Sequence, residues 1–269
     1  MLIDDVLTLI ARHKGCVPPV GFTVEPFGPL TLAYEAATEQ TAVWPTASRF
    51  EPITREHVDA VRARQREVGV PEVFEWVDDL DADLGTAAAE SGLQITRYPL
   101  LVLDGEPVVA SVPGVDVGIV GPDDPDTFAA VRAAVHSAFI RGGVDVGADD
   151  PPGHNVPPTE RLLELMLRGY LVQAGAVDHA TGEAYGGGAH IPRDTIDATE
   201  VVAIGVRPSV RRRGIGVALA GVLARHARDA GIGTIFLGAE SDAVARIYER
   251  AGFVRVGTAG LAEPPAEST

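Results

Sequence analysis

The spacing of apolar residues along the chain predicts a succession of helices and strands. Apolar residues three and four positions apart form one face of a helix, and they predict helices at residues 4–13, 54–68, 81–91, 126–141, 159–167, 217–230 and 242–251. Runs of β-branched and other apolar residues predict two short strands within 22–35 and further strands at 73–77, 95–103, 115–120, 170–177, 183–191, 200–206, 234–239 and 253–257. This alternation is typical of an α/β protein.

Several segments depart from these patterns. Residues 40–52 contain prolines and no clear period, which predicts an irregular connection, and Pro99 is expected to break the strand around it. The helix at 126–141 is expected to turn Phe139 inward with its other apolar residues. Residues 142–158 are rich in Gly, Asp and Pro, and a loop of that length is either functional or disordered.

The most informative stretch runs from Glu200 to Gly216. Its apolar first part predicts a buried strand that ends before Pro208, because proline cannot donate to a sheet. A helix follows Gly216, and the turn between them contains Gly214 and the residues Arg211, Arg212 and Arg213. Such a turn directs free backbone N–H groups and the positive end of the helix dipole at one point, where glycines leave room. The stretch therefore predicts a cradle for a pyrophosphate group.

The spacing of the glycines separates the families that build such a cradle. A P-loop requires Lys and Ser or Thr after its last glycine, and a dinucleotide fingerprint requires a third glycine where this chain has Leu219. The remaining pattern, Arg-x-x-Gly-x-Gly between a strand and a helix, resembles the signature of the GNAT superfamily of acyl-CoA-dependent N-acyltransferases. The segment from Asp242 to Phe253 lies at the distance expected in that family, and the resemblance covers about residues 115–259. The alternative is an arginine-rich helix N-terminus that binds no ligand.

The resemblance implies a fold and a co-substrate. It implies a mixed, mostly antiparallel sheet flanked by helices, in which the strand before the cradle separates from the next strand to leave a V-shaped slot. It also implies that acetyl-CoA binds along this strand and loop, at Ile204, Gly205, Val206, Arg211, Arg212, Arg213, Gly214, Ile215 and Gly216. Gly205 is expected either to favour the distortion that separates the strands or to provide a close packing contact. Many relatives have Asn near position 242, and Ser241 and Asp242 would replace it imperfectly.

Two residues are candidates for acid–base chemistry. Glu200 lies eleven residues before Arg211, where some members of the family carry a catalytic glutamate, and we interpret it as the general base. Tyr248 lies in a Tyr-Glu-Arg-x-Gly-Phe setting, from which the family implies a general acid for the departing thiolate. The alternatives are a glutamate at the exposed mouth of a strand and an ordinary core tyrosine.

The first part of the chain resembles the last part in the order of its elements. Strand, helix, glycine and strand follow one another from Glu75 to Gly92 at nearly the spacing found from Phe236 to Gly252. We interpret residues 1–113 as an N-terminal α/β region, a degenerate GNAT-like half that has no phosphate loop, and residues 114–269 as the catalytic GNAT domain. The alternative is that any α/β segment shows this order.

Composition excludes some classes of partner and site. The chain has 269 residues, a formal net charge of −16 and a sequence pI near 4.8, which argues against nucleic acid or an anionic membrane as a partner. Cys16 is the single cysteine, and no histidine pair has metal-ligand spacing, so we expect neither a disulfide nor a metal site. His154 in the long loop is the one histidine that could meet substrate. The N-terminus lacks a secretory pattern, and we expect a cytoplasmic protein.

Two functional hypotheses follow from these observations. The first is an N-acetyltransferase that transfers the acetyl group of acetyl-CoA to a primary amine of a small molecule or peptide, by direct attack in a ternary complex. The second is a non-catalytic GNAT-fold protein that binds acyl-CoA as a sensor or regulator. The sequence leaves open the acceptor amine, the acyl group beyond acetyl, a ligand of the first half, and whether the protein is a homodimer.

Overall fold

Most elements form where the hydrophobic pattern predicts them. The computed structural model describes residues 3–16, 21–35, 40–46, 51–141, 145–147, 150–151 and 159–265. The helices are α1 (Ile3–Lys14), α2 (Arg55–Val68), α3 (Ala82–Glu90), α4 (Pro125–Arg141), α5 (Glu160–Leu167), α6 (Ile215–Asp229) and α7 (Asp242–Glu249). The strands are β1 (Thr23–Phe27), β2 (Leu30–Glu35), β3 (Gln40–Pro45), β4 (Phe74–Val77), β5 (Gln94–Leu103), β6 (Val115–Val120), β7 (Val172–Asp178), β8 (Ala184–Arg193), β9 (Ile196–Val206), β10 (Thr234–Gly238) and β11 (Phe253–Glu263).

Three local predictions are wrong. Part of the segment expected to be irregular forms β3, which pairs with β2 in antiparallel register from Leu30 opposite Pro45. β5 continues without interruption through Pro99. Phe139 is 56% exposed, so the inward face of α4 ends before it. β3 forms because β2 is available to pair with it, and the local pattern of apolar residues carries no information about such a partner.

The chain divides into two compact units, which differ from the predicted domains. One unit contains residues 1–100 and 256–269, and the other contains residues 101–255. The division predicted between residues 113 and 114 therefore lies earlier in the chain, and the C-terminal residues belong with the first unit. The reason is that β11 extends to Glu263 and its last part pairs antiparallel with β4, at Leu261 opposite Glu75.

The first unit contains a small antiparallel sheet in the order β1-β2-β3 and the pairing of β4 with β11. Phe74 and Trp76 of β4 are almost fully buried in its core, together with Leu84 of α3. The backbone N–H of Thr54, at the start of α2, donates to Nδ1 of His57 at 3.2 Å. At this helix terminus a side chain therefore accepts a hydrogen bond from a backbone N–H. The helix that follows Arg211 has no such side chain at its start.

The predicted internal copy has a counterpart in the order of elements. β4, α3 and β5 follow one another as β10, α7 and β11 do, and each helix is followed by a glycine with positive φ. These are Gly92 at φ 86° and Gly252 at φ 99°. The copy stays a prediction, because element order alone does not establish an internal repeat.

The second unit contains a mixed, mostly antiparallel sheet flanked by helices, which confirms the predicted fold class. Its strands lie in the order β10-β9-β8-β7-β6, with antiparallel pairs from β6 to β9 and a parallel pair between β9 and β10. The Cβ direction of Gly187 on β8 meets Val131 of α4, whereas that of Gly188 meets Leu223 of α6. Since successive strand residues face opposite sides of a sheet, α4 and α6 cover its two faces.

None of the helices in the described ranges is long and apolar enough to cross a lipid bilayer.

A buried histidine links the sheet to α6. His190 on β8 is fully buried, with Nδ1 at 3.0 Å from Oγ1 of Thr199 and Nε2 at 3.0 Å from Nδ1 of His226. Burial lowers the pKa of His190 from its usual 6.5 to about 3, and the nearby His226 shifts it in the same direction. The imidazole is therefore neutral in the folded protein at neutral pH.

This histidine predicts a loss of stability in acid. Below pH 6.5 the unfolded chain binds a proton at His190 that the folded chain does not bind until about pH 3. We expect the free energy of unfolding to fall by about 1.4 kcal/mol per pH unit across that window through this residue alone. Urea unfolding of the wild type and of His190→Gln at several pH values measures the difference in slope. Equal slopes in the two proteins would contradict the prediction.

Candidate active site

The sheet of the second unit opens between β9 and β10. Their parallel pairing joins three residues of each strand and ends at Phe236 opposite Glu200. β9 continues from there to Val206 and β10 to Gly238, both fully described, without further pairing to each other. Among the described residues, no strand therefore pairs with the last part of β9 on this side, as in the V-shaped slot that the family resemblance implies.

A β-bulge lies on β9 just beyond the point of separation. Opposite β8, the register advances by two residues from Gly187 to Ala189 but by three from Val202 to Gly205. The extra residue coincides with Ala203, whose φ of 54° is unusual for a residue with a side chain. The distortion is thus located at Ala203, which the sequence did not single out.

Gly205 takes the second of its two predicted roles. A Cβ atom at this position would lie 3.1 Å from Cβ of Ala138 and 3.2 Å from the carbonyl oxygen of Val135, both on α4. The glycine therefore allows the helix to pack closely on the strand.

The hydrogen-bond alternation of β9 indicates which residues present backbone groups to the gap. The N–H of Arg207 donates to the carbonyl of Tyr185 at 2.9 Å, so these two residues form a hydrogen-bonded pair. In an antiparallel ladder the two residues of the next pair do not bond to each other. That pair is Gly186 and Val206, so the backbone N–H and carbonyl of Val206 point away from β8 toward the gap. Its carbonyl accepts from Nε of Arg211, which leaves its N–H directed at the gap.

Backbone N–H groups accumulate where the turn meets α6. The first N–H used inside the helix is that of Ala218, which donates to the carbonyl of Gly214 at 3.1 Å. In the part of the chain that the structure describes, the N–H groups of residues 212–217 donate to no acceptor. The N-cap is Gly214, which has no side chain to satisfy them, unlike the Ser, Thr, Asp or Asn preferred at this position. A ready-made anion site results.

The fold constrains the two glycines of the turn, Gly214 and Gly216, in different ways. Gly214 has φ of 89°, a left-handed conformation that disfavours any side chain, although no atom lies within 4 Å of its Cβ direction. Gly216 has no positive φ, and a Cβ there would make one ordinary contact, at 3.8 Å from Cγ2 of Ile247. The fold itself therefore does not require glycine at 216, and the space beside it is open.

The three consecutive arginines point in different directions. Arg212 is exposed and, among the described residues, its guanidinium has no partner. The guanidinium of Arg213 lies over the ring of Tyr185, 5.4 Å from its centroid, and donates to the carbonyl of Pro113 at 3.3 Å. Arg211 is half-buried and turns inward, and burial lowers its pKa. Only Arg212 and Arg213 therefore add exposed positive charge at the turn.

Glu200 lies at the last paired position of β9, at the apex of the gap. Thr199 before it bonds His190 on the α6 side, and Val201 after it packs in the cluster that contains α6. Since side chains alternate along a strand, the carboxylate of Glu200 projects on the face that carries α4. It is half-buried, rather than at an exposed mouth of the strand.

Tyr248 is 8% exposed and packs in the core cluster with α6 and β10. Its hydroxyl makes no hydrogen bond to any residue that the structure describes. Burial raises the pKa of Tyr248 well above its usual 10, and the charge of Glu240 acts in the same direction. The hydroxyl is therefore protonated at neutral pH and available as a donor.

The two residues expected to replace the family asparagine have structural partners. Oγ of Ser241 caps α7 by accepting from the N–H of Val244 at 3.3 Å. Oδ1 of Asp242 lies 3.1 Å from NH1 of Arg255 in an exposed ion pair. These contacts account for both side chains without a ligand.

Sequence reasoning missed Asp150, a nearly buried carboxylate beside the turn. Its oxygens accept from Nε of Arg207 at 2.8 Å, and from the N–H and Oγ of Ser209 at 2.9 and 2.6 Å. Burial opposes ionisation, but the bonds from Ser209 and the charge of Arg207 outweigh it and lower the pKa of Asp150. Its only sequence signal is an acid in the long loop. His154 lies outside the described residues.

No group of three or more His, Cys, Asp or Glu side chains in the described ranges is arranged to hold a metal ion.

Comparison with known proteins places this site in a family. The family model "Acetyltransferase (GNAT) family" matches residues 149–253, which include β9, the turn, α6 and α7. The curated mycothiol acetyltransferase of Cellulomonas flavigena is 29% identical over 206 residues, which are 70% of this chain and 55% of that protein. The chain thus spans about half the length of this curated relative.

Solved structures match the whole chain. A GCN5-related N-acetyltransferase from Kribbella flavida superposes with a TM-score of 0.69 at 20% identity, over 97% of this chain and 96% of that one. A second, from Sphaerobacter thermophilus, superposes with a TM-score of 0.59 at 18% identity, over 100% and 96%. At these identities the likeness establishes the fold. Together with the family match at the site, it identifies residues 149–253 as a domain similar to the GNAT family of acetyltransferases.

Proposed function

We propose that this protein is an N-acetyltransferase that transfers the acetyl group of acetyl-CoA to a primary amine of a small molecule or peptide, by direct attack in a ternary complex. The observation that carries the proposal is the row of N–H groups at residues 212–217, which donate to nothing in the described chain and lie next to an open sheet edge. A diphosphate satisfies such N–H groups, and a thioester arm lying along the free edge of β9 reaches the gap.

We assign a part of acetyl-CoA to each element of this site. The pyrophosphate binds at the turn from Arg212 to Gly216, where the helix dipole and exposed guanidinium groups favour negative charge. The amide groups of the pantetheine arm pair with the free edge of β9 near Val206. The thioester then lies near the apex of the gap, between Glu200 and α7, which carries Tyr248.

These residues supply what acyl transfer to an amine requires. Glu200 accepts the proton of the amine, directly or through a water, and the freed nitrogen attacks the thioester carbonyl carbon. A backbone N–H of β9 that faces the gap near its apex stabilises the negative charge that develops on the carbonyl oxygen. As the carbon–sulfur bond breaks, Tyr248 donates its proton to the thiolate sulfur. The products are the acetylated amine and CoA with a free thiol.

Thiol release from acetyl-CoA across a panel of amines tests the proposal. The panel includes a polyamine, an amino sugar and a peptide with a free N-terminus. Calorimetry with CoA is run in parallel. We expect CoA to bind and at least one amine to accelerate thiol release. Binding of CoA without release for every amine would favour the sensor hypothesis, and no binding would exclude both.

Replacing Tyr248 with Phe tests the role of the hydroxyl alone. Phe keeps the ring in the core, and the hydroxyl has no partner among the described residues, so we expect the melting temperature to change little. The turnover number is expected to fall by about 100-fold, in the range for loss of one acid–base group. Steady-state kinetics with the best amine of the panel measures it. An unchanged turnover number would indicate a core tyrosine.

A further inference from the structure

The guanidinium of Arg211 bonds to protein carbonyls on three segments. Nε donates to Val206 at the end of β9 at 3.0 Å, NH2 to Ala138 in the last turns of α4 at 3.0 Å, and NH1 to Asp145 at 3.1 Å. The motif alone would assign this arginine to the pyrophosphate. A planar guanidinium engaged with three carbonyls is instead a rigid link between a strand, a helix and a loop segment.

Asp150 makes a second link, between its own loop segment and the residues that follow β9. It holds Arg207 and Ser209, which flank the start of the 3-10 helix Pro208–Val210 between β9 and the turn. The N–H of Gly147 also donates to the carbonyl of Pro208 at 3.1 Å. The described residues 145–147 and 150–151 are thus fixed to the end of β9 at two points.

The links made by Arg211 and Asp150 lie on the side of the sheet from which the amine would approach, not at the turn proposed to bind CoA. Glu200 projects on the α4 face of the sheet, so an amine that gives its proton to Glu200 approaches on that face. The end of α4 and the described residues 145–147 lie on this side of β9, because Ala138 packs on Gly205 and Arg211 bonds to both Ala138 and Asp145. The links that Arg211 and Asp150 make to these segments therefore also hold one side of the site where the amine would bind.

We propose that Arg211 and Asp150 are positioning residues for the acceptor amine, which hold the end of α4 and residues 145–147 and 150–151 against the last part of β9 and the turn that follows it. This inference rests on the proposed function and extends it to the second substrate. The turn from Arg212 to Gly216 then binds CoA without the side chain of Arg211. Loss of either link displaces the border of the amine site, whereas the N–H groups at the start of α6 stay in place.

The test measures kcat, KM for the fastest amine of the panel and Kd for CoA in four variants. Arg211→Gln removes the first link, and Asp150→Asn weakens the second without touching Arg211. Arg211→Lys keeps the charge but lacks the planar fork whose three nitrogens each reach a different carbonyl. Arg250→Gln, at an exposed arginine at the end of α7, is the control for loss of one positive charge. Thermal unfolding of each variant identifies any that fails to fold.

We expect Arg211→Gln, Arg211→Lys and Asp150→Asn to raise KM for the amine or lower kcat by about 10- to 100-fold, as small displacements of positioning groups do. Kd for CoA should stay nearly unchanged, and Arg250→Gln should match the wild type in all three quantities. Weaker CoA binding with an unchanged KM for the amine would overturn the proposal. It would indicate instead that Arg211 binds the pyrophosphate group of CoA. A wild type that turns over no amine would instead overturn the proposed function, and this inference with it.

Discussion

Glutamate in place of Gly216 is expected to weaken CoA binding strongly without destabilising the protein. A Cβ at this position meets only Ile247, at an ordinary 3.8 Å, so the fold has room for a side chain. Replacing glycine inside a helix gains up to about 1 kcal/mol, and a negative charge in the first turn adds about 0.3–1 kcal/mol. The same charge faces the diphosphate, and a like-charge contact costs several kcal/mol, so Kd should rise by about 100-fold or more.

Calorimetry with CoA and urea unfolding measure the two effects separately. Gly216→Ala is the graded control, since it adds bulk without charge and should weaken binding less while stabilising the helix. Gly214 is a less suitable position for this test, because its φ of 89° strains any other residue placed there. A loss of CoA binding in such a variant could not be separated from a loss of stability. A Gly216→Glu protein that binds CoA like the wild type would exclude the turn as the pyrophosphate site.

Glutamine in place of Glu200 is expected to lower kcat/KM by about 100- to 10,000-fold, the usual contribution of a general base. Glutamine keeps the size and hydrogen-bonding capacity of the side chain at the apex of the gap but cannot take a proton from the amine. The pH dependence that a general base gives to the rate of the wild type should disappear in the variant. Binding of CoA should change little, because the pyrophosphate site lies beyond the end of β9.

The pH profile of kcat/KM with one amine measures this prediction. Glu249→Gln, an exposed carboxylate on α7, is the control for loss of a negative charge and should retain the profile of the wild type. A Glu200→Gln enzyme with a slightly reduced rate and an unchanged profile would identify Glu200 as a structural residue and direct the search for the base elsewhere.

Much of the fold could be predicted because its signals are local. The period of apolar residues determines whether a segment forms a helix or a strand, and prolines and glycines terminate it. The strand, turn and helix from Glu200 to Gly216 form as predicted, because each depends on residues within a few positions. β3 was missed because it exists through its pairing with β2, and Phe139 was misplaced because burial on α4 depends on what packs there.

The roles of the arginines show where local reasoning ends. Three adjacent arginines look alike in the sequence, but Arg211 bonds to residues as far as 73 positions away in the chain. The bulge at Ala203 has no marker either, since alanine rarely adopts a positive φ unless the surrounding structure imposes it.

The sequence by itself determined the class of the fold, the glycines that leave the helix terminus open and the pair of candidate acid–base residues. These are properties of short segments, set by backbone sterics and side-chain period. Only the tertiary structure decided where β9 parts from β10, which backbone groups face the gap and which arginine points away from the turn. These depend on long-range packing of α4 and α6 against the two faces of the sheet, which no local pattern encodes.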